Sequence, residues 1–472
     1  MNILFLRPPD SEAFKLFAKA GSISMPIGIA YIAAYLKKHG HEVKIIDYLV
    51  ENYSREEFQK QIKEFAPEII GITTTTPTIY NAFYLAKEVK TINPAIKIIM
   101  GGPHVAALPE ESMNNETVDI VCTGEGEEVM LEIVNSIRSK KSLNQINGIY
   151  YKEGNRVYST GKRELIKNLD TLPFPARDLL NTDTYRISAT RRRTPHKSDI
   201  IVTSRGCPYG CNFCSKAVFG QTVRYRNPEN VVEEIEEVMK KYGVKEIQFV
   251  DDTLTVNSEH LTAICELILK KDLKFTWGCH SRVNNVADEM FGLMRRAGCR
   301  ELAFGVESGN QEVLNAIGKR ITLEEVKKAV KLCQKNGMLA ICGFIIGHIQ
   351  DTEKTVKETI NFACKLNPDF ANFSILTPLP GSEVFDFAKK RGLITGKDYD
   401  KFIPISGARP IQLGNIGPEK LIYYQKLAYR KFYFRPRYLL RKITSIKSIE
   451  DIKQGLVGLK TIISYQSFKK SD

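Results

Sequence analysis

Twice along this chain, strand-sized apolar runs alternate with amphipathic helical stretches, which restricts the fold to parallel α/β architectures. In the first block the apolar runs are 2–6, 43–47, 69–73, 97–100 and 119–122, with helical periodicity over 27–38, 55–65, 79–91 and 127–139. That pitch predicts a doubly wound parallel sheet over residues 1–140, receiving ligands at the carboxyl ends of its strands. The rhythm breaks over 141–195, which holds a hairpin turning at Glu153-Gly154-Asn155, a rigid Leu172-Pro173-Phe174-Pro175 and the basic Arg191-Arg192-Arg193. This stretch reads as a linker lying against both neighbours. A second block follows, with strands over 200–204, 246–250, 274–278, 301–306, 339–346 and 370–376, and helices over 228–241, 258–270, 288–297, 323–336 and 353–366. Six strand–helix units predict a partial barrel of the TIM type over 196–410, with its chemistry at the carboxyl ends of the strands. Residues 411–472 read as a basic helical tail.

Composition narrows the class. A hydrophobic share of 43% and a charged share of 26% are those of a globular chain, not a disordered one. No run approaches the ~20 apolar residues of a membrane span, and the opening Met1-Asn2-Ile3-Leu4-Phe5-Leu6-Arg7-Pro8-Pro9 lacks the pattern of a signal peptide. The expectation is a cytoplasmic enzyme. Of ten cysteines, seven are scattered singly and three lie within eight residues, a pattern of buried thiols plus one metal site rather than a disulfide framework. The charge of +14 is uneven: from Glu419 to Asp472 there are 13 Lys/Arg against 4 Asp/Glu.

The clustered thiols lie in Arg205-Gly206-Cys207-Pro208-Tyr209-Gly210-Cys211-Asn212-Phe213-Cys214, directly after the first strand of the second block. Thiolates are soft ligands for iron and zinc. A four-iron cluster ordinarily takes four cysteines, so three leave one iron open to a substrate or cofactor. A structural zinc site would need a fourth protein ligand, and no second cysteine pair at zinc-ribbon spacing is present.

Cys-x-x-x-Cys-x-x-Cys after the first strand of a partial barrel, with aromatic Phe213 before the third cysteine, resembles the signature of the radical S-adenosylmethionine (SAM) superfamily over residues 196–390. The resemblance implies a 4Fe-4S cluster on Cys207, Cys211 and Cys214, with SAM bound at the open iron. Reductive cleavage then yields methionine and a deoxyadenosyl radical that abstracts hydrogen. It also suggests SAM contacts. Asp251 or Asp252, at the second strand end, would meet the methionine ammonium, with a helix N-cap as the competing reading. Arg282 would clasp the SAM carboxylate in a two-pronged contact, or serve in an ordinary salt bridge. Glu307 and Ser308 match the segment contacting ribose and methionine, and Gly343 and Ile345 match the adenine-packing strand. The family's Gly-x-Pro-Gly-Glu-Thr is here Gly347-His348-Ile349-Gln350-Asp351-Thr352, which puts that loop's shape in question. His348 reads as a surface or supporting residue rather than a catalytic one.

The front block resembles a cobalamin-binding domain. Thr73-Thr74-Thr75 resembles the lining of the nucleotide-tail pocket, Gly101-Gly102 the paired glycines beside that tail, and Gly124-Glu125 the final loop. The usual Asp-x-His-x-x-Gly is missing, so no histidine there can ligate cobalt from below. That departure fits radical SAM enzymes that hold cobalamin with its lower base displaced, and equally a front domain that is purely structural.

Cofactor pair and domain order resemble the branch that includes anaerobic magnesium-protoporphyrin ester cyclase and radical methyltransferases. Methylation of an unactivated carbon, with cobalamin as methyl carrier, is the implied reaction; radical cyclisation or rearrangement is the alternative. A tRNA methylthiotransferase would need further front-domain cysteines, where only Cys122 occurs, and a non-enzymatic cobalamin regulator would leave the cysteine loop without a use. The implied partners are a small-molecule or lipid-like substrate and a low-potential electron donor such as flavodoxin or ferredoxin. No nucleic acid is expected, because no recognised module accompanies the charge. The tail's interleaved aromatic and basic residues, 423–437, suit weak contact with a membrane surface, a cover for the barrel's open side, or a surface for another domain.

Overall fold

The computed structural model describes residues 1–10, 22–187, 196–284, 287–396, 398–402 and 410–444, with 452–453 and 455–456. The basic run at 191–193 and most of the tail beyond 444 lie outside the described residues.

The front sheet has seven strands: β1 (Asn2–Arg7), β2 (Glu42–Asp47), β3 (Ile69–Thr73), β4 (Lys97–Gly101), β5 (Ile120–Cys122), β6 (Ile149–Glu153) and β7 (Arg156–Ser159), in the spatial order β2-β1-β3-β4-β5-β6-β7. The first five are parallel, and their order 2-1-3-4-5 places the topological switch between β1 and β3. Ile3, Leu4, Phe5 and Leu6 are all buried, the continuous apolar run that a strand covered on both faces requires. Helices Ile27–Lys38 and Glu127–Arg138 cover one face, and Arg55–Phe65 and Ile79–Ile92 the other. The hairpin read as part of a linker is instead the edge of this sheet, because β6 pairs antiparallel with β5 through Ile120–Tyr151 and Cys122–Ile149.

Beyond the hairpin, the chain packs against both bodies. Ile166, Leu169 and Leu172 gather around Tyr31 of the front helix. Arg177, buried, reaches Asp199 at 2.6 Å and Glu234 at 2.7 Å in the second body.

The second sheet is six parallel strands in sequential order: β8 (Ser198–Ile201), β11 (Glu246–Phe249), β12 (Thr276–Ser281), β13 (Cys299–Glu307), β14 (Leu339–Ile346) and β15 (Phe370–Ile375). It is an open partial barrel with β8 and β15 at its edges. A short antiparallel pair, β9 (Ser204–Arg205) and β10 (Arg224–Tyr225), closes the base of the cysteine loop.

An edge strand presents unpaired backbone groups, and the tail supplies the partners. Helix Pro418–Tyr433 lies along β15 with Gln425, Tyr429 and Tyr433 on one stripe. Gln425 Nε2 donates to the Phe373 carbonyl (2.6 Å), Tyr429 Oη accepts from Phe373 N (3.2 Å), and Tyr433 Oη bridges both backbone groups of Ala371. Of the readings offered for the tail, the cover on the barrel's open side accounts for these side chains. The apolar residues left exposed include Leu440 and Ile443 of helix Pro436–Thr444. No helix among the described residues is long and apolar enough to cross a membrane.

Candidate functional site

The carboxyl ends of the two sheets face each other across a cavity of about 670 Å³. Cys207, Cys211 and Cys214 line it, as do Phe213, Asp252, Arg282 and Glu307 from the barrel and Thr73, Gly101, Gly102, Gly124 and Glu125 from the front. Asp251, Ser308, Thr74, Thr75, Gly343 and Ile345 are not part of its lining.

The cysteine loop is hung at both ends. Asp251 Oδ1 accepts from Thr203 N (3.0 Å), Thr203 Oγ1 (2.8 Å), Ser204 Oγ (2.6 Å) and Ser204 N, fixing the turn that leads into it. Asp251 therefore braces the loop instead of facing a ligand. Its neighbour Asp252 points the other way, as adjacent residues at a strand end do, and burial raises the pKa of its carboxyl. Gly206 sits at φ +97°, where a side chain would strike the Thr222 carbonyl. Further along, Asn212 N donates to the Ile317 carbonyl and Asn212 O accepts from Val384 N, both at 3.2 Å.

Cys207 and Cys211 are half-buried and Cys214 is exposed, and all three are free thiols. Although Cys214 reaches solvent, partial desolvation of its thiol by the surrounding loop, with Cys207 and Cys211 beside it, pushes it up to about 11. A bound cation reverses that tendency by stabilising thiolates. Among the described residues no three His, Cys, Asp or Glu side chains gather closely enough to hold a single ion. Three soft thiols on one loop are a donor set of the kind an iron–sulfur cluster takes.

Glu307 closes β13 in the left-handed region, at φ 68°, an uncommon setting for a residue with a side chain. Its carboxylate pairs with Lys319 Nζ at 2.7 Å, with both side chains close to fully buried. A side chain at Gly305 would collide with that pair. Ser308 builds the following turn, with Oγ bonded to Thr359 and accepting from Asn310 N. Arg282 stacks on Tyr209 at 3.7 Å from the ring centre and sends Nη1 to Cys211 Sγ at 3.7 Å.

His348 is buried, 1% exposed, and not a surface residue. Burial, with Lys319 nearby, lowers its pKa to about 4, and its ring lies 5.9 Å from that of Phe213. The altered loop keeps its turn because Asp351 Oδ2 accepts from both Gly347 N and His348 N at 2.9 Å.

On the front side, Gly102 has φ +100°, and a side chain there would meet the Thr74 backbone at 2.6 Å. Thr74 holds that turn through N and Oγ1, both donating to the Gly101 carbonyl at 2.8 Å. Thr75 caps a short helical turn with Thr78. Glu125 borders the cavity, but its carboxylate is committed: Oε1 to Arg205, Oε2 to Arg224 and the Ile166 amide, at 2.7–2.8 Å. With Glu127–Arg205 at 2.6 Å, it ties the front loop to the base of the cysteine loop.

Reading the sequence missed Lys319, this ion network and Gly28. Gly28 lines the cavity beside Ile29 and Ile32 at the start of the first helix, one residue past its Pro26-Ile27 entry. That Pro–Gly punctuation was the only local signal.

The B12 binding domain family matches residues 15–134, and the radical SAM superfamily matches residues 201–363. An uncharacterized methyltransferase of Pyrococcus horikoshii is 37% identical over 445 residues, covering 94% of this chain and 95% of its own. The chain belongs to the cobalamin-dependent radical SAM family. The anaerobic magnesium-protoporphyrin IX monomethyl ester cyclase of Rubrivivax gelatinosus is 30% identical over 456 residues, 95% of this chain and 80% of that one. The radical SAM methyltransferase TsrM from Kitasatospora setae, solved with cobalamin and a 4Fe-4S cluster bound, shares the fold with a TM-score of 0.72 at 14% identity, over 99% of both chains.

The residues of this radical SAM enzyme fit the family's cofactors. Three thiols open onto one cavity. At Gly28 and Gly101, which line its front half, an added Cβ would meet no protein atom within 4 Å and would project into open space. That is the cradle a bulky cofactor needs.

Proposed function

We propose that this enzyme transfers a methyl group to an unactivated carbon of a small organic molecule, with Cys207, Cys211 and Cys214 holding the cluster and the front strand ends holding cobalamin. The observation that carries the reading is the single cavity shared by the three thiols and by Thr73, Gly101, Gly102 and Gly124. When bound, the cluster and SAM supply reductive radical generation, and cobalamin supplies a methyl carrier. The chain's own part is binding, orientation and exclusion of water. Lys319 and Glu307 offer a cation and an anion 2.7 Å apart, which matches the carboxylate and ammonium of a methionine end. Asp252 gives a second anion on the same wall. Phe213, which packs against the same apolar cluster as Ile345, offers an apolar surface for an adenine ring. Phe5, Ile29 and Ile32 give the front half of the cavity an apolar lining.

Residues 1–140 and 196–410 are the cobalamin and radical bodies in this reading, and a cytoplasmic flavodoxin or ferredoxin the electron source. The cyclase of Rubrivivax gelatinosus makes ring closure the second reading, which the product distinguishes. The test is anaerobic reconstitution with iron and sulfide, then addition of SAM, reductant and hydroxocobalamin. Bound cobalamin together with 5′-deoxyadenosine is expected, and Cys211→Ala should lose most iron and all SAM cleavage. Full cleavage by that variant would overturn the cluster assignment. Deoxyadenosine without bound cobalamin would overturn methyl transfer.

A further inference from the structure

We infer that Arg282 tunes the iron–sulfur cluster: its guanidinium is the counter-charge for the anion that the three-thiolate loop holds, and it favours the reduced state. The inference rests on the reading of Cys207, Cys211 and Cys214 as cluster ligands. Five arginines among the described residues are buried: Arg177, Arg205, Arg224, Arg226 and Arg282. Four of them sit on carboxylates. Arg177 holds Asp199 and Glu234, Arg205 holds Glu125 and Glu127, Arg224 holds Glu125, and Arg226 holds Glu234. Arg282 has no carboxylate partner among the described residues, and Glu307, which lines the same cavity, is taken by Lys319.

A guanidinium cannot shed its proton in a protein, so a buried one needs an anion. What Arg282 touches instead is the cysteine loop. Nη1 donates to Cys211 Sγ at 3.7 Å, Tyr209 covers its face at 3.7 Å, and Nη2 donates to the Lys319 carbonyl. Nε is buried without a partner. Expected from sequence to meet a SAM carboxylate, the guanidinium here contacts the ligand sulfur itself. A donor and a positive charge at a ligand sulfur stabilise the added electron more than the oxidised state, and so raise the cluster potential.

The experiment is a redox titration followed by electron paramagnetic resonance on cluster-reconstituted protein, without SAM or cobalamin. Arg282→Gln should lower the ratio of reduced to oxidised cluster about tenfold at fixed applied potential, about 59 mV for one electron. Arg282→Lys, which keeps the charge, should stay within about threefold of the parent. If Arg282→Gln takes up no iron, Tyr209→Leu decides, because loss of the stacked ring should shift the ratio about threefold in the same direction. An unchanged ratio in Arg282→Gln, or in Tyr209→Leu where that variant decides, would overturn the inference. So would Arg282→Gln weakening SAM binding while leaving the SAM-free ratio alone, the signature of a carboxylate clamp. Failure of the parent protein to take up iron would defeat the cluster reading itself, and is told apart by iron content before any titration.

Discussion

Replacing Glu125 with Gln should cost more stability than any exposed charge in the chain, and the structure gives the size. Glu125 is 3% exposed at its side chain and shared by two buried cations, Arg205 at 2.8 Å and Arg224 at 2.7 Å, and it also accepts the Ile166 amide. An amide keeps the shape but removes the anion and points N–H groups at a guanidinium. Breaking a buried pair by deleting one partner costs about 3–5 kcal/mol, because the other charge is left uncompensated. Arg205 retains Glu127, but Arg224 loses its one carboxylate, which places the expected loss inside that range, about 4 kcal/mol. The control is Glu236→Gln, whose partner Lys271 lies at 2.5 Å with both side chains 40% exposed; such pairs contribute about 0–1 kcal/mol. Equilibrium urea unfolding at pH 7 measures both. Since the network joins the loop after β5 to the strand before Cys207, Glu125→Gln should also lower cobalamin retention and SAM cleavage together. A Glu125→Gln protein as stable as Glu236→Gln would refute the claim that these ions are a buried, mutually dependent set.

Gly102→Ala should destabilise the front body by about 1–3 kcal/mol, because φ +100° is left to glycine and the new Cβ meets the Thr74 backbone; cobalamin co-purification, read from the visible spectrum, should fall with it. Lowering the pH tests His348. Its pKa is about 4 in the fold against 6.5 in the free side chain, so the unfolded chain takes up a proton that the folded one refuses. Stability should be flat above pH 6.5 and fall by about 3 kcal/mol between 6.5 and 4, and His348→Leu should flatten that slope in urea titrations at several pH values. Tyr433→Phe strips two backbone groups of Ala371 of their partner, a loss of about 1–3 kcal/mol that should appear in thermal melts together with faster aggregation from the bared edge.

Much of this was legible because periodicity is local. Helices Ile27–Lys38, Arg55–Phe65 and Glu353–Leu366 and strands Ile69–Thr73 and Leu339–Ile346 fall where the apolar spacing puts them. The third barrel strand shows where spacing gives out. Its apolar signal centres on Phe275 and Trp277, yet the strand runs Thr276–Ser281, continuing through His280 and Ser281, which line the cavity. Polar strand ends look like loops to a hydropathy pattern. The thiols and paired glycines carry their own spacing and were readable. Which way Asp251 and Asp252 turn was not, because either could cap the following helix. Arg205–Glu125 spans 80 residues and Lys319–Glu307 spans 12, and no period links the partners.

The division of labour between the ends of the barrel strands follows from these contacts. The charged groups that the barrel strands bring to the cavity come from carboxyl ends, where β11, β12 and β13 deliver Asp252, Arg282 and Glu307 beside the cysteine loop. The tail works elsewhere. Tyr438 and Arg441 donate to the carbonyls of Asp369, Asn367 and Pro368, just ahead of β15, and Arg435 binds Cys364 O and Asn367. In a β/α barrel that is the end where residues serve stability and not chemistry. Arg435 and Arg441 are therefore directed at terminal carbonyls of helix Glu353–Leu366 and the turn after it, where a helix dipole is negative. For Arg435 and Arg441, the charge that in sequence suggested an anionic surface is turned onto the fold's own carbonyls, while Lys420, Arg430, Lys431 and Arg437 stay exposed, as do Leu440 and Ile443.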